Sequence, residues 1–120
     1  MKTTCEADVR MLPGGAVISL SGDVDGTAAD VLTAAYERAV AEHDPATVVL
    51  DFAAVSYINS TGIALIVSVL ARARSQRRKV VASGLSEHYR EIFDITRLSD
   101  FIELFSDLDH AVSQLAPPAG

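Results

Sequence analysis

Residues 48–70 read VVLDFAAVSYINSTGIALIVSVL, and the rest of the chain is organised around this stretch. Residues 48–52 are apolar at nearly every position, as in a strand that is covered on both faces. Residues 58–62 form a short, turn-like connection, and residues 63–70 return to apolar side chains. The stretch therefore predicts a buried strand, a brief connection and a central helix.

The central helix is predicted to begin where amide and hydroxyl side chains cluster. Asn59, Ser60 and Thr61 precede the apolar run. A helix needs a cap at this point, because the N–H groups of its first turn have no partner inside the helix. The helix dipole also favours negative charge at that end. We therefore expect a phosphate to be accommodated there, and this is the candidate functional site.

The composition is that of one globular domain. The 120 residues, 49% of them apolar, are enough for a single core, and residues 116–120 have the composition of a frayed tail. No apolar run reaches the roughly 18 residues of a membrane span, and the amino terminus lacks the apolar segment of a signal peptide. We therefore expect a single domain over residues 1–120, located in the cytoplasm. The lone cysteine, Cys5, agrees with a reducing compartment.

The net charge of −6 argues against general binding to nucleic acids, whose phosphates would repel the chain. Half of the ten basic residues nevertheless fall within residues 72–79, at the carboxyl end of the central helix. Cations there complement the helix dipole and end the helix in solvent. Alternatively, they form a docking patch for an acidic partner. Both interpretations stay open.

Hydrophobic patterning and turn signals predict the other elements. Residues 4–11 and 16–20 flank a Pro-Gly-Gly turn, which indicates a hairpin. A helix follows, with Thr27 and Asp30 as a capping box, and ends near His43. The later elements are a strand at 79–82, a helix from Ser86 to Phe93, a strand at 101–105 and a helix opened by Ser106 and Asp109. This order, ββαβαβαβα, predicts an α/β fold with a mixed sheet of about five strands and about four to five helices.

The central helix is apolar around nearly its whole circumference. One stripe, which we expect to face the core, consists of Ile63, Ile66, Val67 and Leu70. The positions outside this stripe are also mostly apolar: Ala64, Leu65, Val69 and Ala71, with Ser68 as the polar exception. Such a helix is either wholly buried or keeps one face for a partner. The sequence leaves both interpretations open.

Catalysis finds little support in the sequence, and we expect no enzyme activity, cofactor or metal. His43, His88 and His110 lie far apart and lack the paired spacing of metal ligands. Ser60 has no base among its sequence neighbours, and the nucleophile elbow, phosphate-binding loop and dinucleotide fingerprints are missing. Residues 22–26, GDVDG, are interpreted as a turn, since they lack the length and terminal glutamate of a calcium-binding loop.

Three segments together resemble the STAS domain family, and specifically the bacterial anti-sigma factor antagonists. Residues 51–65, DFAAVSYINSTGIAL, are similar to the family's strand followed by Asp-Ser-Ser/Thr-Gly at a helix start. Residues 20–25, LSGDVD, are similar to the Gly-Glu/Asp-x-Asp before the first helix, and residues 92–98, IFDITRL, to a later segment with a phenylalanine. The resemblance covers nearly the whole chain and implies a STAS fold.

The resemblance also implies a phosphorylation switch. In that family the first serine of the motif is phosphorylated by a partner that is both an anti-sigma factor and a serine kinase, a histidine-kinase-like ATPase. A PP2C-type phosphatase removes the phosphate. By position the phosphoacceptor is Ser60, and Asn59 stands where the family usually has aspartate. The positions expected to contact the partner are Asp23, Asp25, Asn59, Thr61, Gly62, Ala64, Leu65 and Ser68.

The function implied is that of an anti-sigma factor antagonist. Such a protein binds its anti-sigma factor when unphosphorylated and thereby regulates transcription through release of the sigma factor. The alternative is a STAS scaffold or ligand-sensing module, as in stress complexes or lipid-transport accessory proteins, in which the hydroxyl site is not phosphorylated. An enzyme would require a base from far along the chain to reach Ser60.

Overall fold

The computed structural model describes residues 4–115, and in them one sheet carries helices on both faces. The tail expected at residues 116–120 lies outside the described residues. The strands are β1 (Glu6–Leu12), β2 (Gly15–Val24), β3 (Thr47–Ile58), β4 (Lys79–Ser83) and β5 (Glu103–Phe105). The helices are α1 (Ala29–His43), α2 (Ser60–Ser75), α3 (Glu87–Ile95) and α4 (Leu108–Ser113). A first 3₁₀ turn covers Gly26–Ala28 and a second covers Leu98–Asp100.

The strands lie side by side in the order in which they occur along the chain. β1 pairs with β2 in an antiparallel hairpin, whose turn contains Gly14 with a positive φ of 85°. The pairs from β2 to β5 are parallel, and each connection between them contains a helix, as parallel neighbours require. The predicted α/β fold with the order ββαβαβαβα is therefore confirmed.

Successive residues of the central strands contribute to two separate hydrophobic clusters, because side chains alternate between the two faces of a sheet. The larger cluster joins the sheet to α1, α2 and α3, and from the sheet it includes Ile18, Leu50 and Val80. The smaller cluster joins the opposite face to α4, and from the sheet it includes Val17, Val49 and Val81. The three longer helices, α2 among them, therefore share one face.

The side of α2 that packs on the sheet agrees with the predicted stripe except at Val67. Ile66 and Leu70 are buried as expected, but Val67 is 46% exposed and Val69 only 7% exposed. The buried residues of α2 are Gly62, Ile66, Val69, Leu70 and Ala73. The prediction was wrong about Val67 because a helix with apolar residues on all sides carries little rotational information in its sequence.

Two strands have ends that differ from the predicted ones. β3 continues past Phe52 to Ile58, because it stays paired with β2 until Val24 lies opposite Ile58. β5 is shorter than the predicted strand at 101–105, because the second 3₁₀ turn precedes it and leaves Phe101 63% exposed. The first difference brings the end of β2 to the start of α2, and the second leaves an aromatic ring on the surface.

Of the caps predicted for the last two helices, one is confirmed and one is wrong. Ser86 caps α3 as expected. Asp107 caps α4 in place of the predicted Ser106 and Asp109, because its Oδ1 accepts a 2.8 Å hydrogen bond from the amide of His110. This backbone hydrogen bond holds the pKa of the Asp107 carboxyl below its usual range. Serine and aspartate cap about equally well, so residue type alone did not select between neighbouring candidates.

Two valines on opposite sides of α2 test its orientation. Val69→Ala removes packed side-chain atoms, and we expect it to lower the free energy of unfolding by about 2 kcal/mol. Val67→Ala makes the same chemical change on the exposed side, where the effect should stay within about 0.5 kcal/mol. Urea unfolding followed by circular dichroism measures both changes. Equal effects, or a larger loss at Val67, would show that α2 is turned differently.

Candidate functional site

The candidate site lies where the end of β2 meets the start of α2. β2 and β3 run parallel, and Val24 at the end of one lies opposite Ile58 at the end of the other. The next residue, Asn59, donates its backbone N–H to the carbonyl oxygen of Val24 at 3.2 Å. This hydrogen bond attaches the beginning of α2 to β2.

Gly62 packs against the same carbonyl group. A Cβ atom at this position would lie 1.9 Å from the carbonyl oxygen of Val24 and 3.1 Å from a side-chain carbon of Ile58. The first distance is far inside van der Waals contact, so at this separation of α2 and β2 only glycine fits. Gly62 therefore determines both how closely α2 approaches β2 and which side of the helix faces the sheet.

Of the three candidate capping residues, Asn59 caps α2, and Ser60 is the first residue of the helix. Its side-chain Oδ1 accepts a hydrogen bond from the amide of Gly62 at 2.9 Å, and its backbone carbonyl accepts one from the amide of Ile63 at 2.9 Å. The remaining amides of the first turn belong to Ser60 and Thr61. They lie at the positive end of the helix dipole, where an anion is stabilised.

Ser60 is exposed, and it begins a line of exposed residues along α2. Because Gly62 faces the sheet, the residues on the opposite side of the helix face solvent. We call them the outward strip: Ser60, Ala64, Val67, Ser68 and Ala71. Leu65 borders this strip and is half-buried. Of the two interpretations left open by the sequence, the structure thus supports the second, in which α2 keeps one mostly apolar face uncovered.

The loop between β2 and α1 is ordered by Asp25. This residue is 4% exposed, and its Oδ1 accepts hydrogen bonds from the amide of Thr27, at 2.9 Å, and from the hydroxyl of the same residue. Asp25 therefore caps the first 3₁₀ turn, and α1 begins only at Ala29. The capping box predicted at Thr27 and Asp30 was wrong, because Asp25 takes the capping position two residues earlier.

The predicted contact positions differ in their exposure. Thr61, Ala64 and Ser68 are exposed, Asp23, Asn59 and Leu65 are half-buried, and Asp25 and Gly62 are buried. The loop and the helix start are neighbours, since the methyl group of Thr61 lies 3.5 Å from where a Cβ of Gly26 would be. Asp25 and Gly62 can therefore influence a partner only by shaping the surface that the other residues form.

Comparison with known proteins assigns the family. A family model described as the STAS domain matches residues 6–111. The chain belongs to the STAS domain family. The match covers every strand and nearly all of the helical structure of the described residues.

Individual relatives of this STAS protein are more distant. Over 55 residues it is 38% identical to the anti-sigma-B factor antagonist of Listeria monocytogenes, a match that covers 46% of this chain and 48% of the relative. The chain thus spans about half the length of the curated relatives it matches. A solved anti-sigma factor antagonist from Mycobacterium paratuberculosis has a TM-score of 0.74 at 27% identity, over 92% of this chain and 93% of that one.

A further structural relative is the Bacillus cell fate determinant SpoIIAA in its phosphorylated form. It has a TM-score of 0.70 at 18% identity, over 92% of this STAS chain and 99% of SpoIIAA. At this level of identity the likeness is one of fold.

Cys5 of this STAS domain is buried close to the site loop. Its exposure is 2%, and this burial raises the pKa of the thiol. The carboxylates of Asp25, Asp23 and Glu6 raise the pKa further, because they disfavour a second negative charge nearby. The thiol is therefore protonated at neutral pH, and its form is the unreactive one.

Two tyrosines near the site were not singled out in the sequence. The hydroxyl of Tyr89, on α3, accepts a hydrogen bond from the backbone N–H of Ile58 at 2.9 Å and so holds the end of β3. Tyr57 is 51% exposed beside the start of α2. Side chains alternate between the two faces of a strand, so a strand that buries Ile58 would expose Tyr57. The sequence did not reveal this, because β3 was predicted to end before both residues.

The basic cluster at the end of α2 is largely paired within the chain. Three of its cations form ion pairs: Arg72 with Glu37 at 3.6 Å, Arg78 with Asp44 at 2.7 Å and Lys79 with Glu103 at 3.2 Å. Arg74 instead places its guanidinium over the ring of Phe101, 5.8 Å from the ring centroid. Arg77 is exposed after the end of α2, and among residues 4–115 neither Arg77 nor Arg74 is ion-paired with a carboxylate. The solvated helix end thus accounts for most of the cluster.

Metal binding has no structural support in the part of the chain that is described. Among residues 4–115, no group of three His, Cys, Asp or Glu side chains is placed to hold a metal ion. His43, His88 and His110 are all exposed. No helix in the same range combines the length and the apolar character that crossing a membrane requires.

Gly62 provides a test of the close approach between α2 and β2. Replacing glycine by alanine within a helix ordinarily stabilises it by about 0.5–1 kcal/mol. We expect the opposite for Gly62→Ala, a loss of about 2–3 kcal/mol in the free energy of unfolding, because the new Cβ collides with the Val24 carbonyl.

Gly26→Ala is the matched control for this variant. Its added Cβ would meet only a methyl group of Thr61, at an ordinary contact distance of 3.5 Å. We expect a change within about 0.5 kcal/mol, measured by the same urea unfolding. If Gly62→Ala were as stable as the wild type, the assigned contact between α2 and β2 would be incorrect.

Proposed function

We propose that this STAS protein is an anti-sigma factor antagonist whose binding to its partner is switched by phosphorylation of Ser60. The observation that carries the proposal is an exposed hydroxyl at the start of α2, continuous with the mostly apolar outward strip. The names of the Listeria and Mycobacterium relatives support the antagonist role. In this role the protein is a binding module without catalytic activity, and it works in the cytoplasm.

In the unphosphorylated state the outward strip is the docking surface. Ala64 and Val67 offer apolar contact, and the hydroxyl groups of Ser60 and Ser68 can be buried if the partner supplies hydrogen bonds. Thr61 and Leu65 extend this surface on one side. The half-buried Asp23 extends it on the side of the loop, which Asp25 keeps in place.

Phosphorylation changes the surface without changing the fold. A phosphate adds about −1.5 to −2 charges at Ser60. The adjacent amides and the helix dipole accommodate this charge in the free protein. Burying the same charge against an apolar partner surface would cost several kcal/mol, so the complex dissociates.

The enzymes that operate this switch are a partner that combines anti-sigma factor and serine kinase, a histidine-kinase-like ATPase, and a PP2C-type phosphatase. Asn59 stands in the place of the usual aspartate, and its Oδ1 still accepts the capping hydrogen bond from the amide of Gly62. The exposed position of Ser60 at the start of α2 therefore does not require a carboxylate at position 59. In the alternative, a STAS scaffold or ligand-sensing module, Ser60 would serve only as a surface hydroxyl.

The phosphorylation site can be identified directly. We expect the protein isolated from its native cells to carry one phosphoryl group on the peptide spanning residues 58–65, at Ser60. Mass spectrometry with fragmentation locates the group. Ser60→Ala should abolish the modification, and Thr61→Val, which changes the neighbouring hydroxyl, should retain it. Phosphate on Thr61 would reject Ser60 as the acceptor, and an unmodified peptide under conditions in which the kinase is active would favour the alternative.

The effect of charge on binding is a separate test. Ser60→Asp should weaken binding to the purified partner kinase by about a hundredfold, because the carboxylate must be desolvated at the interface. Ser86→Asp is the matched control, since it places the same charge at the exposed cap of α3 and preserves the cap. Isothermal titration calorimetry measures both affinities. Equal affinities for Ser60→Asp and wild type would reject the switch.

A further inference from the structure

A groove lies beside the second half of α2, away from Ser60. It has a volume of about 480 Å³ and runs between α2, β4 and the second 3₁₀ turn. Its floor is formed by residues that are almost fully buried, namely Leu70, Val80 and Leu98. A volume of this size lies within the range of about 300–1,000 Å³ that is usual for small-molecule sites.

The walls of the groove expose large apolar side chains to solvent. Val67 is 46% exposed and Phe101 is 63% exposed, and both line the groove together with Ala71. Within residues 4–115 only four large hydrophobic residues are exposed to this degree or more, and these are two of them. A concave apolar surface bordered by polar residues is typical of a binding site.

Cations surround this apolar surface, although the chain as a whole carries a net charge of −6. The lining includes Arg74, Arg78 and Lys79, against a single carboxylate, Asp100, among the described lining residues. Arg78 is held by Asp44 at 2.7 Å and by the carbonyl of Pro45 at 2.6 Å.

Arg74 is the cation that remains for a ligand. Lys79 is paired with Glu103, whereas no carboxylate of residues 4–115 is ion-paired with Arg74. Its guanidinium instead lies over the ring of Phe101, which also lines the groove. A planar guanidinium in this position can bind a carboxylate through two hydrogen bonds.

From this arrangement we propose that the groove binds a single-chain amphiphile with an anionic head, of the fatty-acid class. The hydrocarbon chain lies on Leu70, Val80 and Leu98 and is covered from the side by Val67 and Phe101. The carboxylate pairs with Arg74. Asp100 disfavours a second negative charge, so a carboxylate with one charge fits better than a doubly charged head. Neither Ser60 nor any other described residue of the first turn of α2 lines the groove.

The size and lining of the groove favour this ligand over a peptide. One turn of an α-helix with its side chains occupies about 500 Å³, so a partner helix would find room for little more than a single turn. An extended peptide would need hydrogen-bond partners along its whole backbone, and the polar groups among the described lining residues are four charged side chains, of which Arg78 and Lys79 are already ion-paired. A hydrocarbon chain needs none.

Three probes of equal chain length and different head charge test the proposal on the full chain. They are decanoate and decyltrimethylammonium, each titrated below its critical micelle concentration, and decanol, titrated below its solubility limit. Two-dimensional NMR of the ¹⁵N-labelled protein locates the binding, and titration calorimetry gives the affinity. We expect decanoate to shift the amides of Val67, Ala71 and Phe101, and to bind about fivefold more tightly than decanol. The ammonium compound should bind most weakly.

Variants distinguish the contribution of Arg74 from that of positive charge in general. Arg74→Ala should weaken decanoate binding about fivefold and leave decanol binding unchanged. Arg72→Ala is the matched control, because Arg72 lies on the same helix, pairs with Glu37 and does not line the groove. Asp100→Asn should tighten decanoate binding, an effect that loss of folding cannot produce.

Several results would overturn the proposal. These are failure of decanoate to bind, equal binding of all three probes, shifts outside the groove, or equal effects of Arg72→Ala and Arg74→Ala. None of them bears on phosphorylation of Ser60, so this site and the proposed switch can fail separately.

Discussion

The carbonyl group of Val24 is the contact on which the functional part of the molecule depends. It accepts the backbone hydrogen bond of Asn59 and leaves no room for a side chain at position 62. One backbone oxygen therefore fixes the place at which α2 begins and the side of α2 that faces the sheet. Ser60 is exposed because Gly62, on the other side of the same turn, is not.

The start of α2 can accept a phosphate at Ser60 because the contacts that hold this part of the structure do not involve the Ser60 side chain. Asn59 caps the helix through the amide of Gly62, Asp25 holds the neighbouring loop, and the hydroxyl of Tyr89 holds the end of β3. None of these contacts uses the side chain of Ser60. A change of charge at Ser60 therefore acts on whatever binds the surface rather than on the packing beneath it.

The two surfaces of α2 lie next to each other along the helix. Val67 is seven residues from Ser60, which corresponds to about 10 Å along the axis. Val67 and Ala71 belong both to the outward strip and to the wall of the groove. A partner that covers the strip as far as Val67 and a ligand in the groove would therefore compete for the same side chains.

The sequence was sufficient for the order of the elements and for the place of the site, but not for the orientation of α2. Turn residues and apolar runs separate strands from helices, and Asn59 is a strong capping residue wherever a helix follows it. The rotation of α2 depends instead on the contact of Gly62 with Val24, two residues far apart in the chain, and the apolar side chains around α2 gave no competing signal. The exposed position of Phe101 likewise follows from the second 3₁₀ turn, because β5 begins only at Glu103 and leaves Phe101 outside the strand.

The most direct test of this account compares amide hydrogen exchange of the unmodified protein and of the protein phosphorylated at Ser60. The account predicts that the amide of Asn59 and those in the body of α2 keep their protection, and that changes stay within the first turn of the helix. Loss of protection along α2 on phosphorylation would contradict this account, because it would show that the helix no longer packs against β2.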